Sequence, residues 1–220
     1  MKGWPMSLWQ DFQTNSGKGI YKWVHYFPIY ERHFECWRNK SGLFLEIGVG
    51  RGGSLQMWQR YFGPLMKVVG IDIEPSTKVH EVNGVFVRIG DQADHEFLNA
   101  VIDEFGVPDI VLDDGSHRMR DVLNTFEHLY PKMQKNAIYM VEDMHTSYWE
   151  EYGGGLHKPD SFINFAKACV DRLNADHTRG ALPSDSMTRE TLSLSFYDSI
   201  VCFEKGNVWR KTAPIVGETD

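Results

Sequence analysis

The chain has 220 residues and is 42% hydrophobic, enough for one α/β domain with a sizeable core and too apolar for a disordered chain. Its formal net charge of −7, with no block of Lys and Arg, argues against a nucleic-acid partner and an anionic membrane surface, and suits a cation site better. Cys36, Cys169 and Cys202 are far apart and form no C-x-x-C pair, so reduced, mostly packed thiols are expected.

In chain order, Met1 to Asp11 carries Trp4, Pro5 and Trp9 and lacks the continuous apolar core of a signal peptide. No window approaches the ~18 apolar residues of a membrane span, so a cytoplasmic protein is expected. Ile20 to Trp37 is rich in aromatics and reads as helical in part. Together residues 1–40 form an N-terminal segment ahead of a core over residues 41–211, the whole read as one domain. Leu43 to Ile47 is a short apolar run ending in glycines, which predicts a buried strand. Ser54 then reads as the N-cap of a helix through about Phe62. Lys67 to Ile71 and Val85 to Ile89 are the next strands, closing on Asp72 and on Gly90-Asp91. His95 to Phe105 is helical, with Phe97, Leu98, Val101, Ile102 and Phe105 on one face. Asp109 to Leu112 is a strand ending in Asp113-Asp114, Met119 to Tyr130 a helix, and Ala137 to Val141 a strand ending in Glu142-Asp143.

This β-α alternation predicts a Rossmann-like, doubly wound, mostly parallel sheet covered on both faces. After Asp143 the pattern breaks. His145 to Pro159, with Gly153-Gly154-Gly155, reads as an excursion over the strand ends, and Ser161 to Leu173 as a helix. Thr191 to Phe196 and Ile200 to Glu204 read as a closing antiparallel hairpin, and the last residues from about Thr212 as frayed.

Ligands of an open parallel sheet bind beyond the carboxyl ends of its strands. The unusual residues of this chain all fall there. Gly48, Gly50 and Gly53 satisfy G-x-G-x-x-G, and Asp72 follows Gly50 by 72 − 50 = 22 residues, where a ribose-binding acid belongs. A tight turn with a surface Asp remains the bland alternative. If strands four and five are neighbours, ~4.8 Å apart, then Asp114, Glu142 and Asp143 converge. Anions so close need a cation or protonation, and hard oxygen donors suit Mg²⁺ or a similar divalent ion. Helix caps are the alternative for some of them. His117, three residues past Asp114, is a candidate general base, since an unperturbed imidazole titrates near ~6.5. His145 is a second candidate, for proton transfer, substrate positioning or holding the loop.

Glu46-Ile47-Gly48-Val49-Gly50 resembles motif I of class I S-adenosylmethionine-dependent methyltransferases, with an acid two positions before the first glycine. Leu112-Asp113-Asp114-Gly115-Ser116-His117 and Val141-Glu142-Asp143-Met144-His145-Thr146-Ser147-Tyr148-Trp149 resemble the metal and catalytic segments of the mycinamicin-type macrolide sugar O-methyltransferases. The resemblance runs from roughly Gly17 to Trp149 and includes Tyr30-Glu31 and the stretch from Gly53 to Trp58. It implies the class I methyltransferase fold. It implies that Glu46, Gly48, Gly50 and the adjoining loop with Ser54 hold the methionine part of S-adenosylmethionine. Asp72 would take the ribose hydroxyls, and Asp91 and Gln92 the adenine. Asp113 is counted with this cofactor set. It further implies Asp114, Glu142 and Asp143 as Mg²⁺ ligands and His117 as the base. The partner implied is a small-molecule hydroxyl acceptor, a sugar or other vicinal diol, with Tyr148, Trp149 and the triple glycine closing over it. Those enzymes carry extra N-terminal sequence and oligomerise through it, which leaves a homo-oligomer open here. The rival readings are a nicotinamide-dependent oxidoreductase on the same glycine loop and a non-catalytic cofactor-binding module.

Overall fold

A computed structural model describes residues 6–82, 84–209 and 211–217. Trp4 and Pro5, and the last three residues of the tail expected to fray, lie outside them.

Five parallel strands carry the core: β1 (Gly42–Ile47), β2 (Met66–Asp72), β3 (Val85–Ile89), β4 (Ile110–Asp113) and β5 (Ile138–Val141). β6 (Thr191–Tyr197) and β7 (Ile200–Lys205) form the hairpin, with β7 antiparallel to β5. The sheet order is β3-β2-β1-β4-β5-β7-β6. The expected strands all occur, with ends within one residue of those read from the apolar runs.

The short apolar runs arise because both faces of the sheet are covered, so alternate residues both need apolar partners. Leu45, Ile47, Val69, Val111, Tyr139 and Phe203 face one layer, built from α4 (His95–Phe105), α5 (Met119–Leu129) and α6 (Phe162–Leu173). Phe44, Val68, Leu112, Met140 and Cys202 face the other, built from α1 (Leu8–Gln13), α2 (Phe27–Phe34) and α3 (Gly53–Phe62). The aromatic N-terminal segment is therefore part of the core, supplying Leu8, Tyr26, Phe27, Ile29, Tyr30 and Phe34. Tyr30 and Phe34 on α2 meet Phe44 of β1 and Trp58 of α3 at ring separations of 5.2–6.0 Å. Edge-to-face and offset pairs of this kind add to the area they bury.

Two short helices escape the hydrophobic period. α1 is stopped at its start by a capping box, in which Ser7 accepts from the Gln10 amide and Gln10 reaches back to the Ser7 amide. The Glu31 carboxylate also accepts from the Leu8 amide at 2.6 Å, tying α1 to α2. α7 (Ser186–Glu190) is capped by Asp185. Ser54 is not an N-cap. Gly52, in the left-handed region at φ 74°, takes that position, and Ser54 lies inside the first turn of α3 with its hydroxyl turned to Glu46. All three cysteines are free, Cys169 and Cys202 buried and Cys36 exposed.

His33 on α2 reaches across to the hairpin. Its Nδ1 lies 3.0 Å from Glu204 Oε1 and its Nε2 2.9 Å from the Tyr197 hydroxyl. The His33 contact holds the Glu204 carboxyl below the usual carboxylate range. A depressed folded pKa contributes stability above the unfolded value of ~4.3 and loses it as pH falls through the folded value. Glu204→Gln is expected to cost ~1 kcal/mol or less at pH 7, the carboxylate being 36% exposed, and progressively less as the pH falls below the unfolded value; urea titrations over that range measure this.

Candidate active site

A cavity of about 830 Å³ opens over the carboxyl ends of β1, β2, β3, β4 and β5. That size lies within the range of small-molecule sites. Its floor is the glycine loop after β1. Gly48 adopts φ 92° and Gly50 φ 51°, which glycine alone reaches without strain. A Cβ at Gly48 would run into the carbonyl oxygen of Asp114, so the β1 and β4 loops touch backbone to backbone. A Cβ at Gly50 would meet nothing within 4 Å. Asp72, at the end of β2, holds this loop: Oδ2 accepts from the Val49 and Gly50 amides at 2.8 and 3.0 Å, and Oδ1 from the Glu74 amide at 2.9 Å. It also lines the cavity, as do Asp91, Gln92 and Ser54.

Three residues expected to touch cofactor have other employment. Glu46 does not reach the cavity wall. It is fully buried, accepting from Ser54 Oγ at 2.8 Å and Trp58 Nε1 at 3.2 Å, because strand alternation turns it to the α3 face. Asp113 is also off the wall and 1% exposed, and accepts from Gln92 Nε2, the Tyr139 hydroxyl and the Gly115 amide. Burial pushes its carboxyl up to about 7. Gln92 spends its amide inside the protein, donating to Asp113 and Thr125 and accepting from the Ser116 amide at 2.7 Å. Together they clamp the ends of β3, β4 and β5.

The acids beyond β4 and β5 do converge. Asp113 pairs with Val141, and the Glu142 amide donates to the Asp113 carbonyl at 2.9 Å, so Asp114 and the Glu142-Asp143 pair leave the sheet side by side. Asp143 and His117 both sit in the left-handed region, at φ 54° and 57°. Such conformations in non-glycine residues cost energy and gather at functional sites. His117 Nε2 lies 3.8 Å from Asp114 Oδ1 and 3.6 Å from Asp143 Oδ2. One ligand atom from each of Asp114, His117 and Asp143 falls within 4.8 Å of the others.

Glu142 lies outside this open trio. Its two oxygens face Lys22 Nζ at 3.2 and 3.0 Å, and Oε1 also accepts from the Tyr30 hydroxyl at 2.5 Å. Lys22 Nζ further meets Asp114 Oδ2 at 2.6 Å and Glu46 Oε1 at 3.3 Å. Tyr26 donates to Asp143 Oδ1 at 2.7 Å. Burial raises the Glu142 carboxyl well above the usual range, and the Lys22 charge opposes that shift. Burial alone would lower the Lys22 ammonium, but Asp114, Glu142 and Glu46 overcome it and hold it well above the ordinary lysine value. Lys22, Tyr26 and Tyr30 are site residues that the strand-end reasoning missed. The signal available was a lone Lys inside the aromatic stretch Ile20-Tyr21-Lys22-Trp23.

His145 is off the cavity wall, with Nδ1 3.1 Å from Ser199 Oγ. It belongs to a row of rings at the mouth: Trp23 to His145 at 5.9 Å, His145 to Trp149 at 4.8 Å, Trp149 to Tyr152 at 5.9 Å, and Tyr152 to His117 at 6.4 Å. The triple glycine is pinned beneath it, with the Gly154 amide on the Trp149 carbonyl and the Gly155 amide on that of Ser147.

The solved MycE methyltransferase of the mycinamycin biosynthetic pathway, in complex with Mg, SAH and mycinamycin VI, superposes with a TM-score of 0.78 at 32% identity, covering 91% of this chain and 53% of that one. This chain has the class I methyltransferase fold. By sequence it is 34% identical over 200 residues to the mycinamicin VI 2''-O-methyltransferase of Micromonospora griseorubida, covering 83% of this chain and 49% of the relative. It is 36% identical over 199 residues to the 8-demethyl-8-alpha-L-rhamnosyl tetracenomycin-C 2'-O-methyltransferase of Streptomyces olivaceus, covering 85% and 52%. The resemblance to mycinamicin-type O-methyltransferases is thus borne out, and the chain spans about half the length of these curated relatives. No protein-family model matches it.

Gly48→Ala combines strain with a backbone collision, whereas Gly106, at φ 99°, has open space around its Cβ position. Urea unfolding should show Gly48→Ala losing more stability than Gly106→Ala, which should cost about 1–3 kcal/mol. Equal losses would mean that the β1–β4 loop contact is unimportant.

Proposed function

We propose that this chain, read as one domain over residues 1–220, is an S-adenosylmethionine- and Mg²⁺-dependent O-methyltransferase acting in the cytoplasm on a small-molecule hydroxyl, on a sugar or another vicinal diol. The observation that carries this reading is the convergence of Asp114 Oδ1, Asp143 Oδ2 and His117 Nε2 beside a cavity floored by the glycine loop. A nicotinamide enzyme would share the loop but leave those acids without a role. A binding module would have no need of them. Among the described residues no helix is long and apolar enough to cross a membrane.

The residues fit both groups. The loop offers backbone approach at Gly48 and Gly50, and Asp72 lines the cavity with Oδ1 engaged by one backbone amide against two on Oδ2. Asp114 and Asp143 present hard oxygen donors, which Mg²⁺ prefers to imidazole. That preference leaves His117 for proton transfer. When bound, S-adenosylmethionine supplies an electrophilic methyl and Mg²⁺ weakens the hold of a nearby hydroxyl on its proton. His117 Nε2, 3.8 Å from Asp114 Oδ1 and 3.6 Å from Asp143 Oδ2, is placed beside the metal donors to take that proton. Asp114 and Asp143 orient the acceptor end, and holding the partners in near-attack geometry lowers the barrier further. Trp23 and Trp149, each about half exposed, offer the acceptor a ring surface on the approach to His117. His145, tied to Ser199 and to both rings, holds that surface in place.

Methyl transfer from labelled S-adenosylmethionine to a panel of glycosylated polyketides tests the reading. Turnover should vanish in excess chelator and return with Mg²⁺. His117→Ala should lower it ~10²–10⁴-fold while calorimetry with S-adenosylhomocysteine shows binding kept. Full activity in chelator, or a loss under threefold in the variant, would remove the metal or the base respectively.

A further inference from the structure

Lys22 is a charged side chain only 2% exposed, and its ammonium lies inside the carboxylate cluster. It takes one oxygen of Asp114, both of Glu142 and one of Glu46. Tyr30 adds a second donor to Glu142 Oε1, so Glu142 has little capacity left for anything else. The oxygens still facing outward are Asp114 Oδ1 and Asp143 Oδ2. Glu142 can therefore join a divalent ion only if Lys22 lets it go.

The chain permits that exchange. Lys22 lies on the segment between α1 and α2, outside any helix or strand, and lines the cavity. Its neighbours are anchored independently: Asn15 Nδ2 donates to the Lys18 carbonyl at 2.9 Å, and Lys18 Nζ lies 2.7 Å from His80 Nδ1. The Lys18 and Gly19 carbonyls pack on Gly53 so closely that a Cβ there would collide with them. A flexible four-carbon stem can thus swing its charge without moving the backbone. Three carboxylates, Glu46, Asp114 and Glu142, meet one ammonium, and a dication at the same distance gains twice the attraction.

We propose that Lys22 is the internal counter-ion of the metal centre: its ammonium closes the carboxylate cluster while the divalent ion is out, and releases the Asp114 and Glu142 oxygens when the ion enters. This rests on the proposal that Asp114 and Asp143 bind a divalent ion. Lys22 then acts as a positioning residue with two effects. It keeps buried acids compensated in the metal-free protein, and it lowers metal affinity because each binding event must displace it.

Two measurements on the full chain test this. Mn²⁺ binding to metal-free protein, followed by electron paramagnetic resonance of the free ion, should be at least tenfold tighter in Lys22→Met than in wild type. Equal or weaker binding overturns the inference. In the wild type, acetylation by a water-soluble succinimidyl ester, read by peptide mass spectrometry, should spare Lys22 in chelator and modify it at saturating Mn²⁺, with exposed Lys78 modified equally in both. Lys22 spared in both conditions overturns the inference even if the Met variant fails to fold. Absence of Mn²⁺ binding in the wild type would overturn the metal site itself, and the inference with it.

Discussion

Acids from three neighbouring strands leave the same end of the sheet within a few ångströms of one another, and their charge must be compensated. Isolated carboxylates cannot be buried as anions without large cost, so the site persists only with positive charge, hydrogen-bond donors or bound protons among them. Every unusual feature around the cavity answers to that requirement. Lys22 supplies charge, Tyr26 and Tyr30 supply donors, and Asp113 is drawn toward its protonated form. A cluster this acidic is costly to keep in a fold that makes no use of it.

The fold delivers the acids through register. Parallel pairing of β4 with β5 fixes Asp113 opposite Val141, and the next residues on both strands leave the sheet together. The other side of the site comes from far away in sequence. Lys22 is 92 residues from Asp114 and 120 from Glu142, and arrives because α2 packs its aromatic face on β1 and α3. The N-terminal segment is therefore core and site wall together. Tyr30 on α2 touches Glu142 through its hydroxyl, and Phe34 supports Tyr30 from one turn away.

Much of this was legible in the sequence, for definable reasons. Parallel strands buried on both faces produce apolar runs, and the residue ending each run lies at the ligand side of the sheet, so Asp72, Asp114, Glu142, Asp143 and His117 could be singled out. What each acid faces was harder. Glu46 follows a glycine-motif pattern, but alternation with Phe44 turns it onto Trp58, away from the cavity. Asp113 and Asp114 are adjacent, and only the packing of Gln92 and Tyr139 shows that the first is clamped inside and the second faces outward. Ser54 looked like a cap because serines commonly are, yet left-handed Gly52 starts the helix. Lys22 stands out locally only as a lone Lys among aromatics, and its partners come from distant strands.

The proposed chemistry depends on a divalent ion held by Asp114 and Asp143 beside His117. Anomalous diffraction at the manganese edge, from crystals grown with Mn²⁺ and S-adenosylhomocysteine, addresses this directly. The expected result is a peak at metal–oxygen distance, about 2.0–2.2 Å, from one carboxylate oxygen of each aspartate, with Lys22 turned away. A peak elsewhere in the molecule, or an ordered cavity with cofactor bound and no peak at those oxygens, would contradict it.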